Sequence, residues 1–133
     1  MNNAFPMGAP PDIDTTFTWK GNGQCGNWKS YCRLRIFRPH PEQTVVIVSA
    51  IKGDTGTSIT NSAPKLAELV CQQYGIAPAT LMWIEQYPYY RGTPEFAAEF
   101  SQVILTWQEN RVLHHTWQTI GRQEIEQCVL FPL

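Results

Sequence analysis

Thr44-Val-Val-Ile-Val-Ser-Ala-Ile51 decides the fold. Its β-branched residues favour extended backbone, and it is apolar at odd and even positions alike, so neither side reads as facing water. It is predicted to be a central strand, covered on both faces or on one by an oligomer partner.

C-terminal to this strand, Asn61-Ser-Ala-Pro64 opens a helix, because Asn or Ser offers a cap oxygen and proline is tolerated in the first turn. Leu66, Leu69, Val70 and Tyr74 recur at helical spacing, with Ala63 and Ala67 flanking, and Gly75 is a natural stop. Leu81 to Tyr87 is the next strand, and Pro88 to Pro94 a loop. Phe100 to Gln108 and Val112 to Gln118 form a hairpin around Glu109-Asn110. Ile125, Cys128 and Val129 mark a short helix within Thr119 to Val129, with Thr119 as its cap and Pro132 beyond it.

N-terminal to the central strand, Trp28 to Arg38 alternates with period two. Lys29, Tyr31, Arg33, Arg35 and Phe37 lie on one side, Trp28, Cys32, Leu34 and Ile36 on the other. Pro39-His-Pro41 ends this strand, since proline donates no ladder bond. Gly21, Asn22, Gly23 and Gly26 suggest a loop, with Thr15 to Trp19 a short strand before it. Residues 1–14 hold three prolines and no periodicity and read as a flexible or docking arm. The remainder, 15–133, is predicted to be a single α+β domain. Its mixed sheet has about five to six strands in the order β-β-β-α-β-β-β-α, one main helix covers a face, and a short helix ends the chain.

Ten Lys+Arg against eleven Asp+Glu leave a formal charge of −1, which argues against a protein built to coat nucleic acid or anionic lipid. The longest aliphatic run, Val45 to Val48, is far short of the about 20 residues that cross a bilayer. Charged residues make up 16% of the chain while five Trp, ten Gln and twelve Thr are present, a composition that predicts a homo-oligomer. Met1 to Lys20 lacks the basic start and apolar stretch of a secretory signal, so a cytoplasmic location with reduced thiols is expected. Cysteines 25, 32, 71 and 128 are then free, and their spacing fits no zinc site. His114 and His115 are adjacent and His40 is remote, so no metal-ligand spacing appears, and no cofactor motif is present.

Chemistry is concentrated in Lys52-Gly-Asp-Thr-Gly-Thr-Ser-Ile-Thr-Asn-Ser62. Five hydroxyls, two glycines and an Asn precede a helix there. Such a loop can cradle an anion with backbone N–H groups and hydroxyls, or it can simply cap the helix with its own Ser and Thr. It matches neither a Walker loop nor a dinucleotide fingerprint. If the helix joins strands 44–51 and 81–87 as parallel neighbours, both end at one rim, where crossover units bind ligands. Lys52, Asp54, Thr57, Ser58, Thr60, Asn61, Glu85 and Tyr87 would gather there. A lysine, two carboxylates and a phenol could also serve a hydrolase or nuclease acting on phosphate-containing substrates. The competing reading of Glu85 is a solvated strand end or an anchor for the loop. Lys29, Tyr31, Arg33 and Arg35 interleave charge and rings as a single-strand nucleic-acid platform does, although the neutral overall charge weighs against nucleic acid.

The segment GTSITN followed by APKLAELVCQQYGI, the strand ending WIEQYP and the Phe100-to-Val103 stretch resemble a family of small uncharacterised bacterial proteins. The likeness spans residues 44 to 130. It implies only that Gly56-to-Asn61 and Trp83-to-Pro88 belong together, and it carries no activity. The expected function is therefore a small binding or accessory protein that recognises a polar or anionic ligand or partner through the 52–62 loop. The alternatives are the phosphate-directed enzyme and a structural subunit of a larger assembly.

Overall fold

The computed structural model describes residues 10–23, 26–53, 59–86, 100–121, 123–125 and 127. Six strands form one mixed sheet whose spatial order follows the chain: β1 (Ile13–Gly23), β2 (Gly26–His40), β3 (Gln43–Gly53), β4 (Leu81–Gln86), β5 (Phe100–Gln108) and β6 (Arg111–Ile120). Only β3 and β4 run parallel, in the register Thr44↔Leu81 to Val48↔Glu85, and α1 (Ile59–Tyr74) lies between them in sequence. The α+β architecture is the predicted one, with a short helical stretch at 123–125 after the last strand. No described helix is long and apolar enough to cross a membrane.

The central strand is buried on both sides. Val46 and Val48 lie beneath α1, whose Ala63, Leu66, Ala67, Val70 and Cys71 recur at three- and four-residue steps and pack on Leu34, Ile36 and Trp83. Val45 and Ile47 face the other way, into a second cluster with Phe37, Ile84, Phe100, Ile120 and Ile125. Ile125 comes from the C-terminal helical stretch, so the chain itself covers the second face. Gly121 begins that stretch: its carbonyl accepts the Ile125 N–H at 3.2 Å, and its own N–H donates to Glu124 Oε1 at 3.0 Å. This is the return half of a capping box.

Several boundaries differ from the sequence expectation. β1 starts at Ile13, inside the stretch assigned to the arm, because Asp12 N–H donates to the Ile36 carbonyl at 2.8 Å and Ile13 packs on the core. The glycines at 21, 23 and 26 are not in a loop; their backbones pair across β1 and β2 out to Gly23↔Gly26. Thr119 belongs to β6 and does not cap a helix. α1 opens at Ile59, so Thr60 and Asn61 are first-turn residues and Pro64 sits inside the helix, where it forfeits an N–H bond. The helix ends as expected: Gly75 adopts φ 64°, and the Ile76 N–H reaches back to the Cys71 carbonyl at 3.0 Å. The turn between β5 and β6 is at Glu109-Asn110, with Glu109 at φ 55°.

Cys32 and Cys71 are free and buried. Burial, aided by the charge of Glu85, pushes the Cys32 thiol up to about 12, and burial pushes Cys71 up to about 11. Because the thiolate is the reactive form, neither should react with a thiol reagent in the native protein at pH 8. In denaturant without reductant, alkylation and intact-mass measurement should count four thiols for the whole chain; fewer would refute the reduced state expected of it.

Candidate functional site at the carboxyl rim of the parallel strands

Because β3 and β4 are parallel neighbours, both finish at the same rim. Beyond Val48↔Glu85, β3 continues along β2, its only strand partner there among the described residues, pairing Arg33↔Ser49, Tyr31↔Lys52 and Ser30↔Gly53. The base of the 52–62 loop is thus flanked by the Tyr31 and Arg33 stretch of β2. Two groups that were separate in the sequence share one edge. Lys52 lies four residues past Val48, about 13 Å at roughly 3.3 Å per residue, so it is at the same rim as Glu85 without adjoining it. Asp54, Thr57, Ser58 and Tyr87 lie outside the described residues, as do Cys25, Cys128, the loop at 88–94 and the first nine residues of the arm.

Glu85 is neither a solvated strand end nor on an open wall. It is fully buried on the α1 side of the sheet, and Trp83 Nε1 donates to its Oε2 at 3.2 Å. Trp83 and Glu85 are two residues apart on a strand, hence on one face.

The opposite face carries charge at the same rim. Arg33 bonds Asp14 with both arms of its fork, Nε to Oδ1 at 3.0 Å and Nη2 to Oδ2 at 2.7 Å. That bond holds the Asp14 carboxyl below its usual range. With the two side chains 48% and 39% exposed, the pair contributes at most about 1 kcal/mol. The contribution is present at neutral pH and is lost as pH falls through the lowered Asp14 value. Arg35 is only 3% exposed, and its Nη2 donates to Gln86 Oε1 at 2.8 Å. Burial, then the like charge of Arg33, pushes Arg35 down to about 10, against the pull of Asp14. Ser49, opposite Arg33, is buried as well.

Asp14, Ser49 and Gln86 were not singled out from the sequence. The available signal was Asp14 standing three residues, an odd number, before Phe17 and so on the opposite face, but only the register Asp14↔Arg35 brings it to the arginines. The four-residue platform of β2 does not form as one exposed surface. Tyr31 and Arg33 are exposed, whereas Arg35 is buried; Lys29 contributes a backbone pairing with Lys20. Among the described residues, no three His, Cys, Asp or Glu side chains gather as a metal would require. A separate groove of about 450 Å³ lies between α1 and the β5–β6 turn, lined by Lys65, Glu68, Trp107 and Arg111 among others. Glu68 Oε2 there accepts the Val112 N–H at 2.8 Å, tying helix to hairpin.

No family model matches the chain, and neither a curated protein nor a solved structure matches it.

Proposed function

We propose that the chain is a small cytoplasmic accessory module, homo-oligomeric and of the bacterial kind its sequence resembles, which recognises an anionic ligand or an anionic group of a partner at the carboxyl rim of β3 and β4. The observation that supports this reading is the register pairing Tyr31 with Lys52 and Arg33 with Ser49. It joins the basic stretch of β2 to the base of a hydroxyl-rich loop that leads into α1. Crossover units bind ligands at this end of their strands because loop N–H groups and the helix N-terminus both favour negative charge there. Arg33, exposed on the adjoining face and shared with Asp14, adds a guanidinium of the kind that suits carboxylate or phosphate.

Melting the protein in phosphate, sulfate or a nucleotide, against sodium chloride of equal ionic strength, tests the reading. Binding to the native state alone should raise stability by about 2.7 kcal/mol at a hundred times the dissociation constant. Thr60→Ala or Asn61→Ala should remove that rise more than it lowers the melting temperature without ligand. If no anion moves the melting curve and these variants merely melt earlier, the loop is capping chemistry and the reading fails.

A further inference from the structure

We infer that β6 pairs, antiparallel and across a two-fold axis at Thr116, with β6 of a second copy of this chain. The inference rests on the homo-oligomer reading and assigns its surface.

β6 ends the sheet, and among the described residues it pairs with β5 alone. Apart from the Val112 N–H, which donates to Glu68 Oε2, its outward backbone donors and acceptors have no strand partner among the described residues. Proteins defend such edges with charge or proline. β1, the other edge, carries Asp14, held to Arg33 of the neighbouring strand, and Lys20. β6 has no proline and a single formal charge, Arg111, at its first position. Leu113 is 62% exposed on β6 and Ile104 is 42% exposed on β5 beside it.

Charge selects an identical strand in antiparallel orientation as the occupant. Parallel pairing would bring the two Arg111 side chains together, whereas antiparallel pairing sends them to opposite ends. A two-fold axis normal to the sheet keeps the faces matched and sets one residue opposite its own copy. With Thr116 at that point, Thr meets Thr, His115 faces Trp117 and His114 faces Gln118, all favourable cross-strand neighbours. The pairing of β5 with β6 steps past Leu113, between Thr106↔His114 and Trp107↔Val112. Regular pairing with a second β6 therefore runs through 114–118. Beyond it each Arg111, 4.0 Å from Glu68 of its own chain, lies toward the far end of the other β6. A strand pair of this length buries less than the about 1,200 Å² of a stable interface, so association at micromolar concentration is expected.

Sedimentation from one to several hundred micromolar should show the mass rising from 15.2 kDa toward twice that value. Leu113→Lys combined with Thr116→Lys, both at exposed positions, should remain monomeric with an unchanged circular dichroism spectrum. Thr116→Cys should cross-link to a dimer on mild oxidation, while wild type and Thr18→Cys, treated identically, should not. A protein that stays monomeric throughout overturns this inference and the homo-oligomer reading together. A dimer that survives the double lysine variant, or that Thr116→Cys fails to cross-link, overturns the assignment to β6 and leaves self-association standing.

Discussion

Ile125→Asp should abolish cooperative unfolding, leaving a chain without a native circular dichroism melt. Ile125 is fully buried against Phe37, Ile47, Ile84 and Phe100 on the face away from α1. A carboxylate forced into that cluster has no described cation within it and must either stay charged in an apolar site or take up a proton. Both routes cost several kcal/mol, against a total stability of about 5–15 kcal/mol for a domain. Ile125→Ala, which only opens a cavity, should cost about 2–5 kcal/mol in urea unfolding. Gln123→Asp, exposed two residues earlier, should stay within about 0.5 kcal/mol of wild type. An Ile125→Asp protein that melts like wild type would mean that the second face of β3 is covered by something other than this helical stretch.

Trp83→Ala should lower stability by about 3–5 kcal/mol, since Trp83 is among the largest fully buried side chains and sits at the centre of the α1-facing core. Trp83→Phe separates packing from polarity. It keeps an aromatic ring there but takes the indole donor from Glu85, 3.2 Å away, a loss worth about 1–3 kcal/mol for a buried acceptor. Glu85→Gln in the Trp83→Phe background should recover part of that loss by replacing the buried carboxyl with an uncharged amide. Urea midpoints at constant slope read all three variants. If Trp83→Phe is neutral and the second substitution changes nothing, the indole–carboxylate bond contributes little and Glu85 is held by its other contacts.

Both predictions rest on what lies above and below the sheet, which is where sequence reading and structure part. The doubly apolar strand at 44–51, the helix stop at Gly75 and the turn at Glu109-Asn110 were all legible, as was the period-two run from Trp28, but not its end, for β2 passes Pro39 and stops at His40. Each is a local property of backbone preference, side-chain alternation or a left-handed turn position. The parallel pairing of β3 with β4 was legible as a condition, because a helix between two strands permits it without requiring it. The glycines of β1 and β2 misled because their turn preference was outweighed by ladder bonds to a partner strand that local composition does not reveal.

The sequence by itself determined the class of the fold, the order of its elements and the faces onto which residues alternate. Period two assigns Arg35 and Phe37 to one side of β2, and Trp83 and Glu85 to one side of β4. Alternation says which way a side chain points and nothing about what arrives on that side. Only the tertiary structure decided that Glu85 is fully buried with the Trp83 indole on its carboxylate, that Arg35 is buried with its guanidinium on Gln86, and that Tyr31 stands opposite Lys52. Those outcomes depend on registers between strands distant in the chain and on which helix covers which face. They are set by the sum of apolar burial over the whole domain, to which no single stretch of residues holds the key.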